Sequence, residues 1–114
     1  MGDCLFCKIV DGEIPSEILY EDERVLAFKD VNPQAPVHIL VIPKEHIESM
    51  NDIDESNSHV IGDIFAIMRG LAEELGIEKD GYRVVNNCGR FGGQSVSHIH
   101  FHLLGGRQLS WPPG

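Results

Sequence analysis

Three histidines stand at alternate positions near the end of the chain, in Ser97-His98-Ile99-His100-Phe101-His102-Leu103-Leu104. Alternation with a period of two sends successive side chains to opposite faces of a β-strand. The spacing therefore predicts a strand over 97–104 with an imidazole face and an apolar face of Ile99, Phe101 and Leu103. Bulky apolar residues would serve a core better than three imidazoles, so packing alone does not explain them. Two kinds of chemistry compete for the site. Histidines two apart lie roughly 6.5–7 Å from one another along a strand, close enough for a pair to chelate one ion. The first and third lie about 13 Å apart, too far to share one metal comfortably. The alternative is nucleophilic catalysis, in which one imidazole attacks while its neighbours position or protonate the substrate. A neutral imidazole keeps a nucleophilic nitrogen free when a backbone carbonyl holds its other nitrogen.

The residues just ahead bear on that choice. Asn87-Cys88-Gly89-Arg90-Phe91-Gly92-Gly93-Gln94 reads as a glycine-rich loop. Gly89, Gly92 and Gly93 let backbone approach a ligand closely, and Gln94, Ser95 and the loop N–H groups are donors for phosphate oxygens. A hairpin loop also needs turn residues, but this one leads into three histidines, which favours phosphorus chemistry over a bare metal cage. A second group is Cys4-x-x-Cys7, half of a tetrahedral zinc site or simply two small buried residues on a short helix. His38, alone on an apolar strand, reads by pattern as a buried histidine satisfied by a carbonyl.

The elements that position these groups follow from the remaining pattern. Asp3 is placed to cap a short helix over 4–10 that buries Leu5, Phe6, Ile9 and Val10. Segments 16–21 and 24–29 read as a hairpin, and 37–42 as an apolar central strand stopped by Pro43. A long helix is expected over 56–75, with Val60, Ile61, Ile64, Phe65, Met68, Leu71, Ala72 and Leu75 in one stripe and Gly76 ending it. A fourth strand spans 81–86, and the tail 105–114 is irregular. Strands in runs with one long helix between the third and fourth indicate an α+β domain with a five-stranded antiparallel sheet.

At 114 residues the chain is one domain, taken as 1–114. Eighteen acidic against nine basic residues give a net charge of −9, which argues against broad binding to nucleic acid or an anionic membrane. A local phosphate site remains open, because backbone N–H groups need little net charge. Met1-Gly2-Asp3-Cys4 lacks a basic region followed by an apolar run, and no apolar stretch is long enough to span a bilayer. Three cysteines suit a reducing, cytoplasmic setting, or a nuclear one in a eukaryote.

Gly93-Gln94-Ser95-Val96 followed by His98-x-His100-x-His102-Leu103-Leu104 resembles the signature of the histidine-triad (HIT) superfamily. The likeness extends through Cys4–Ile9, Ala27–Val31, Pro36–His46 and Gly105-Gly106-Arg107, nearly the whole chain. The ending Trp111-Pro112-Pro113-Gly114 is similar to the nucleotide-binding branch, the purine nucleoside phosphoramidases. The resemblance implies a HIT-like fold, dimerised into a continuous ten-stranded sheet with the tail near the partner subunit. It implies hydrolysis of purine nucleoside 5′-phosphoramidates through a nucleotidyl-histidine on His100. His102, Ser95 and the backbone after Gln94 would hold the phosphate, with His38 beside it. Asp30 would take the ribose hydroxyls, Asn87 the sugar–phosphate side, and Val96 part of the phosphate loop. Phe6, Ile9, Ile14, Phe28 and Val31 would form the purine cleft, although by pattern alone all five read as core. Trp111 would reach toward the neighbouring subunit's site. The same resemblance completes a zinc site from Cys4, Cys7, His46 and His98. Two other readings stay open: a dinucleoside polyphosphate hydrolase, against which the tryptophan-proline tail argues, and a nucleotide-binding interaction module whose catalysis is incidental. Ser97 stands where relatives carry a larger residue, and Arg90-Phe91 where they carry a small or acidic pair.

Overall fold

The computed structural model describes residues 3–114, so the readings placed on Met1 and Gly2 lie outside the described residues. Five antiparallel strands, β1 (Ile18–Glu21), β2 (Val25–Lys29), β3 (Val37–Pro43), β4 (Tyr82–Val85) and β5 (Phe101–Gly105), form one sheet in the order β1-β2-β3-β5-β4. Three α-helices accompany it: α1 (Leu5–Val10), α2 (His59–Glu74) and a short α3 (Gly89–Gly92). The expected α+β architecture is present. Among the described residues no helix is long and apolar enough to cross a membrane.

Each face of the sheet has its own core. On one face, Val25, Ala27, Ile39, Val41, Phe101 and Leu103 pack beneath Val60, Ile64, Met68, Leu71 and Ala72 of α2. Removing these side chains from water supplies most of the drive for folding. The helix ends as Gly76 predicts. Gly76 takes a φ of 74°, its N–H bonds to the Glu73 carbonyl and that of Ile77 to Ala72, satisfying carbonyls the last turn leaves orphaned. On the opposite face, Phe6 and Ile9 of α1 cover Leu26, Phe28, Leu40 and Ile42. The histidines lie on this second face.

Several boundaries differ from the sequence reading. Cys4, not Asp3, caps α1, its sulfur accepting the Cys7 N–H at 3.3 Å. Leu5 faces solvent at 44 % exposure, because a helix of six residues has room for only one buried stripe. Phe65 is half exposed, with one edge of its ring against Phe101. The segment 56–58 is a turn ordered by Asp54, whose carboxylate accepts from the Ser56 N–H and hydroxyl, so α2 begins at His59. The glycine-rich loop contains one helical turn, α3, closed by Gly93 at a φ of 81°. Gly105 closes β5 rather than opening the tail, paired with Val37 and Tyr82, and a Cβ there would stand 2.7 Å from Ile77.

The largest difference concerns the histidine segment. It is not one strand over 97–104: β5 begins only at Phe101. The register with β3 ends at Val41 opposite Phe101, one pair short of His100. Proline lacks the N–H that would continue the ladder beyond this point. The Pro43 carbonyl instead accepts from the His98 ring at 2.8 Å, while the Ile99 N–H bonds to Ile47 at 2.7 Å. The alternation survives without the sheet. Ile99 is buried in the α2 core, and His98 and His100 are buried beneath α1.

Candidate active site and metal centre

Fixed hydrogen-bond partners select the tautomer of a neutral histidine, because a carbonyl only accepts and a backbone N–H only donates. His98 donates Nε2–H to the Pro43 carbonyl at 2.8 Å, which leaves its Nδ1 lone pair facing Cys4 and Cys7. His100 donates Nδ1–H to the His98 carbonyl at 2.8 Å, so the neutral ring carries its lone pair on Nε2. Its ring is 2 % exposed and stands edge-on to Phe6, with ring centres 5.1 Å apart. A buried imidazole with one nitrogen anchored and the other bare is equipped to act as a nucleophile.

His38 and His102 form a second relay. The Gln34 N–H donates to His38 Nδ1 at 3.0 Å, so the His38 proton sits on Nε2. That nitrogen is 2.8 Å from His102 Nδ1, which must accept, and the His102 proton is thereby placed on Nε2. His102 thus presents an N–H donor beside His100, with ring centres 5.2 Å apart. Burial, reinforced by the neighbouring His100 and His38, pushes the His102 pKa down to about 4. Burial also lowers that of His38, against the pull of Asp30. Both rings are therefore neutral at neutral pH, as the relay requires. Asp30 approaches His38 Nε2 at 3.4 Å and accepts the Asn32 N–H at 2.8 Å. The donor atoms of Asp30, His38 and His102 are close enough to hold a cation. The short His38–His102 contact is instead accounted for by a proton.

Cys4, Cys7, His46 and His98 bring their donor atoms within 4.8 Å of one another. The sulfur–nitrogen separations are 3.3 Å for Cys4–His98, 3.4 Å for Cys7–His46 and 3.6 Å for Cys7–His98. A tetrahedral zinc with ordinary Zn–S and Zn–N bonds gives an edge of about 3.5 Å, so the four residues fit the ion. Both histidines offer Nδ1, and the Pro43 carbonyl behind His98 is the second partner that a metal-bound imidazole needs. Burial, together with the hydrogen bond to Cys4 and its charge, pushes the Cys7 thiol up to about 11. Metal binding would take up the thiolate and release that proton.

The other expected residues gather around this core unevenly. Phe28 and Phe6 are buried edge to face, and Ile14 and Val96 pack against their cluster. Ile9 belongs to the same cluster, so Phe6, Ile9 and Phe28 are core residues, as the pattern reads them. Val31 does not belong to the core: it is 97 % exposed. Gln94 turns its side chain into the loop. Its side-chain amide donates to the Glu48 and Val96 carbonyls at 2.7 and 2.9 Å, and its oxygen accepts the Gly89 N–H. Both amide hydrogens are spent on shaping the loop, so only its backbone neighbours are left for a ligand. Ser95 is exposed. Asn87 lines a cleft of about 690 Å³ beside β4 and β5, with Arg83, Arg107, Leu104 and Trp111. Trp111 is 78 % exposed and stands below the Arg83 guanidinium. Ser97 is exposed too, and with Cys4 and His46 it lines a cavity of about 590 Å³ next to the metal centre.

Two participants escaped the sequence reading. Asn86 reaches the histidine segment, donating Nδ2–H to the His100 carbonyl at 2.8 Å. Gln34 contributes only its backbone N–H, which no side-chain pattern can announce.

Comparison with known proteins adds an independent line. A family model described as HIT domain matches residues 11–109. A 14 kDa zinc-binding protein of Zea mays is 52 % identical over 112 residues, covering 96 % of this chain and 87 % of the relative. The crystal structure of a HIT family hydrolase from Legionella pneumophila superposes with a TM-score of 0.96 at 51 % identity, covering 98 % of this chain and 100 % of that one. A histidine triad nucleotide-binding protein from Candida albicans superposes at 0.82 with 35 % identity, covering 96 % and 83 %.

Proposed function

The chain belongs to the HIT domain family, and from that membership we propose that it is a hydrolase of purine nucleoside 5′-phosphoramidates, releasing AMP or GMP from an amine. One observation carries the reading most: His100 donates Nδ1–H to the His98 carbonyl, leaving a bare Nε2 beside the donor His102. In the proposed reaction that nitrogen attacks the α-phosphorus, the P–N bond breaks and the departing nitrogen takes up a proton. Water then cleaves the nucleotidyl-histidine, returning His100 and the nucleoside monophosphate. His102 Nε2–H, the Ser95 hydroxyl and the backbone N–H groups after Gln94 hold the phosphoryl oxygens, where donors already in position stabilise developing charge. Asp30, an acceptor-only group, takes the ribose hydroxyls. Phe6, Ile9, Ile14, Phe28 and Val31 bound the purine, and Asn87 faces the sugar and phosphate.

Cys4, Cys7, His46 and His98 hold zinc in a structural role, tying α1 to the start of the histidine segment. The zinc-binding description of the maize relative supports this. The nucleotide-binding description of the Candida structure supports the ligand class. In this reading the protein is a cytoplasmic homodimer, or a nuclear one in a eukaryote, and Trp111 lies toward the partner's site.

The runner-up within the same chemistry is dinucleoside polyphosphate hydrolysis. Comparing kcat/KM for an adenosine 5′-phosphoramidate and a diadenosine polyphosphate separates the two, with the phosphoramidate expected to be the better substrate. A clear preference for the polyphosphate would overturn the assignment. Tight AMP binding without turnover of either substrate would leave an interaction module.

A further inference from the structure

The residue expected to attack, His100, lies outside the sheet. β5 starts one residue later at Phe101, and the register between β4 and β5 ends at Val85 opposite His102. Three contacts pin the backbone of 98–100 in place of a ladder. The His98 ring holds the Pro43 carbonyl, the Ile99 N–H holds Ile47, and the Asn86 side-chain amide donates to the His100 carbonyl at 2.8 Å. The first two fix the segment on the side of β3 and the metal centre. Among the described residues, Asn86 alone fixes it on the side of β4, at the residue that bears the nucleophilic ring. An asparagine amide supplies there the donor that a continuing strand would have supplied from its backbone.

The consequence for chemistry is geometric. The His100 ring is oriented by its own Nδ1–H on the His98 carbonyl, two residues back along the same backbone. That bond requires the peptide planes of 98–100 to keep their relative orientation. Rotation of the His100 carbonyl would tilt the ring and withdraw Nε2 from the line of attack. We propose that Asn86 is a positioning residue for the nucleophile, setting the direction and tautomer of His100 through its main-chain carbonyl. Asn86 needs no contact with substrate for this role. The inference rests on the nucleotidyl-histidine reading of His100, and its test reads the ring separately from the reaction.

Three variants carry the test: Asn86→Asp, equal in size but without donors; Asn86→Ala, without the side chain; and Asn86→Gln, which keeps the amide. Single-turnover formation of the nucleotidyl adduct is expected to slow roughly 10- to 100-fold in the first two, the scale set by small misplacements of reacting groups. AMP affinity, zinc content and Tm should stay near those of the unaltered protein, and Asn86→Gln should recover most of the rate. Long-range ¹H–¹⁵N spectra of the histidine rings should show His100 as a single Nδ1–H tautomer in the unaltered protein and as a mixture in Asn86→Asp. Adduct formation at the original rate in both deficient variants, with an unchanged His100 spectrum, would overturn the proposal. Parallel loss of AMP binding, zinc and stability would also overturn it, by showing a merely structural role. If the unaltered protein forms no adduct, the functional reading fails; an unchanged His100 spectrum in the variants would then separately remove the positioning role.

Discussion

His38, His100 and His102 are arranged so that each proton has one place to be. A backbone carbonyl claims the Nδ1–H of His100, and the Gln34 N–H claims His38 Nδ1. The remaining proton of the relay emerges on His102 Nε2, beside the bare nitrogen of His100. This predicts how acid affects activity. The His102 pKa is lowered to about 4, so the ring stays neutral through the ordinary histidine range. Below that value Nδ1 gains a proton and can no longer accept from His38. The loss of kcat/KM attributable to His102 is therefore expected near pH 4 rather than 6.5, and an acid limb centred at 6.5 that disappears in His102→Gln would contradict the relay. The linkage to stability has the matching sign. The unfolded ring, with its ordinary pKa, protonates first, so the His102 contribution declines as pH falls from about 6.5 to 4 and levels off below. At this scale the sequence announced the identities and hid the partners. Six histidines, two spaced cysteines and Asp30 were visible as types and spacings. The carbonyls of Pro43 and His98 and the N–H of Gln34 were not, because every residue carries such groups.

Among the elements, the decisive event is the early end of the β3–β5 ladder. Pro43 was legible as a stop for β3. That it also frees a carbonyl for His98, and so releases His98 and His100 from the sheet, required the register between strands far apart in sequence. Alternation read Ile99, Phe101 and Leu103 correctly as core because the side-chain period outlasts the hydrogen bonding. The stripe of α2 was legible except for Phe65, near its solvent edge, while α1 proved too short to bury Leu5. Short α1 is also where the metal centre has most effect. A bound zinc would join Cys4 and Cys7 of the α1 region to His46 and to His98, whose carbonyl orients His100. At free zinc one hundred times Kd, a bound ion stabilises the native state by about 2.7 kcal/mol. In a domain of this size that corresponds to a fall in Tm on the order of 10 °C when the ion is removed. Calorimetry with and without a chelator, alongside metal analysis of Cys4→Ser, measures it. Protein that carries no zinc after reducing purification and resupply, with an unaltered Tm, would remove the metal from the account.

The whole molecule is small and acidic, with β1 and β4 as the two edges of its sheet. β1 has an irregular register with β2, whereas β4 pairs regularly with β5 and ends the sheet on the other side. A regular free edge is a template for pairing, and small domains gain from a partner. Next to β4 lie the cleft that Asn87 lines and the exposed Trp111 of the tail. The proposed homodimer would bring the two β4 edges together into a ten-stranded sheet and give the tail something to rest against. Sedimentation at micromolar concentration should find twice the monomer mass, and a single monomeric species would contradict the dimer. Nothing in the composition reveals this edge. The −9 charge argues only against broad polyanion binding, whereas the edge depends on strand order.

The central claim is that His100 becomes covalently nucleotidylated. Rapid acid-free quenching of the protein with an adenosine 5′-phosphoramidate, followed by peptide mass analysis, tests it most directly. An added adenylyl group is expected on His100 during turnover and none in His100→Ala, which should lose nearly all activity. Full turnover by His100→Ala, or an adduct that forms on another residue, would contradict it.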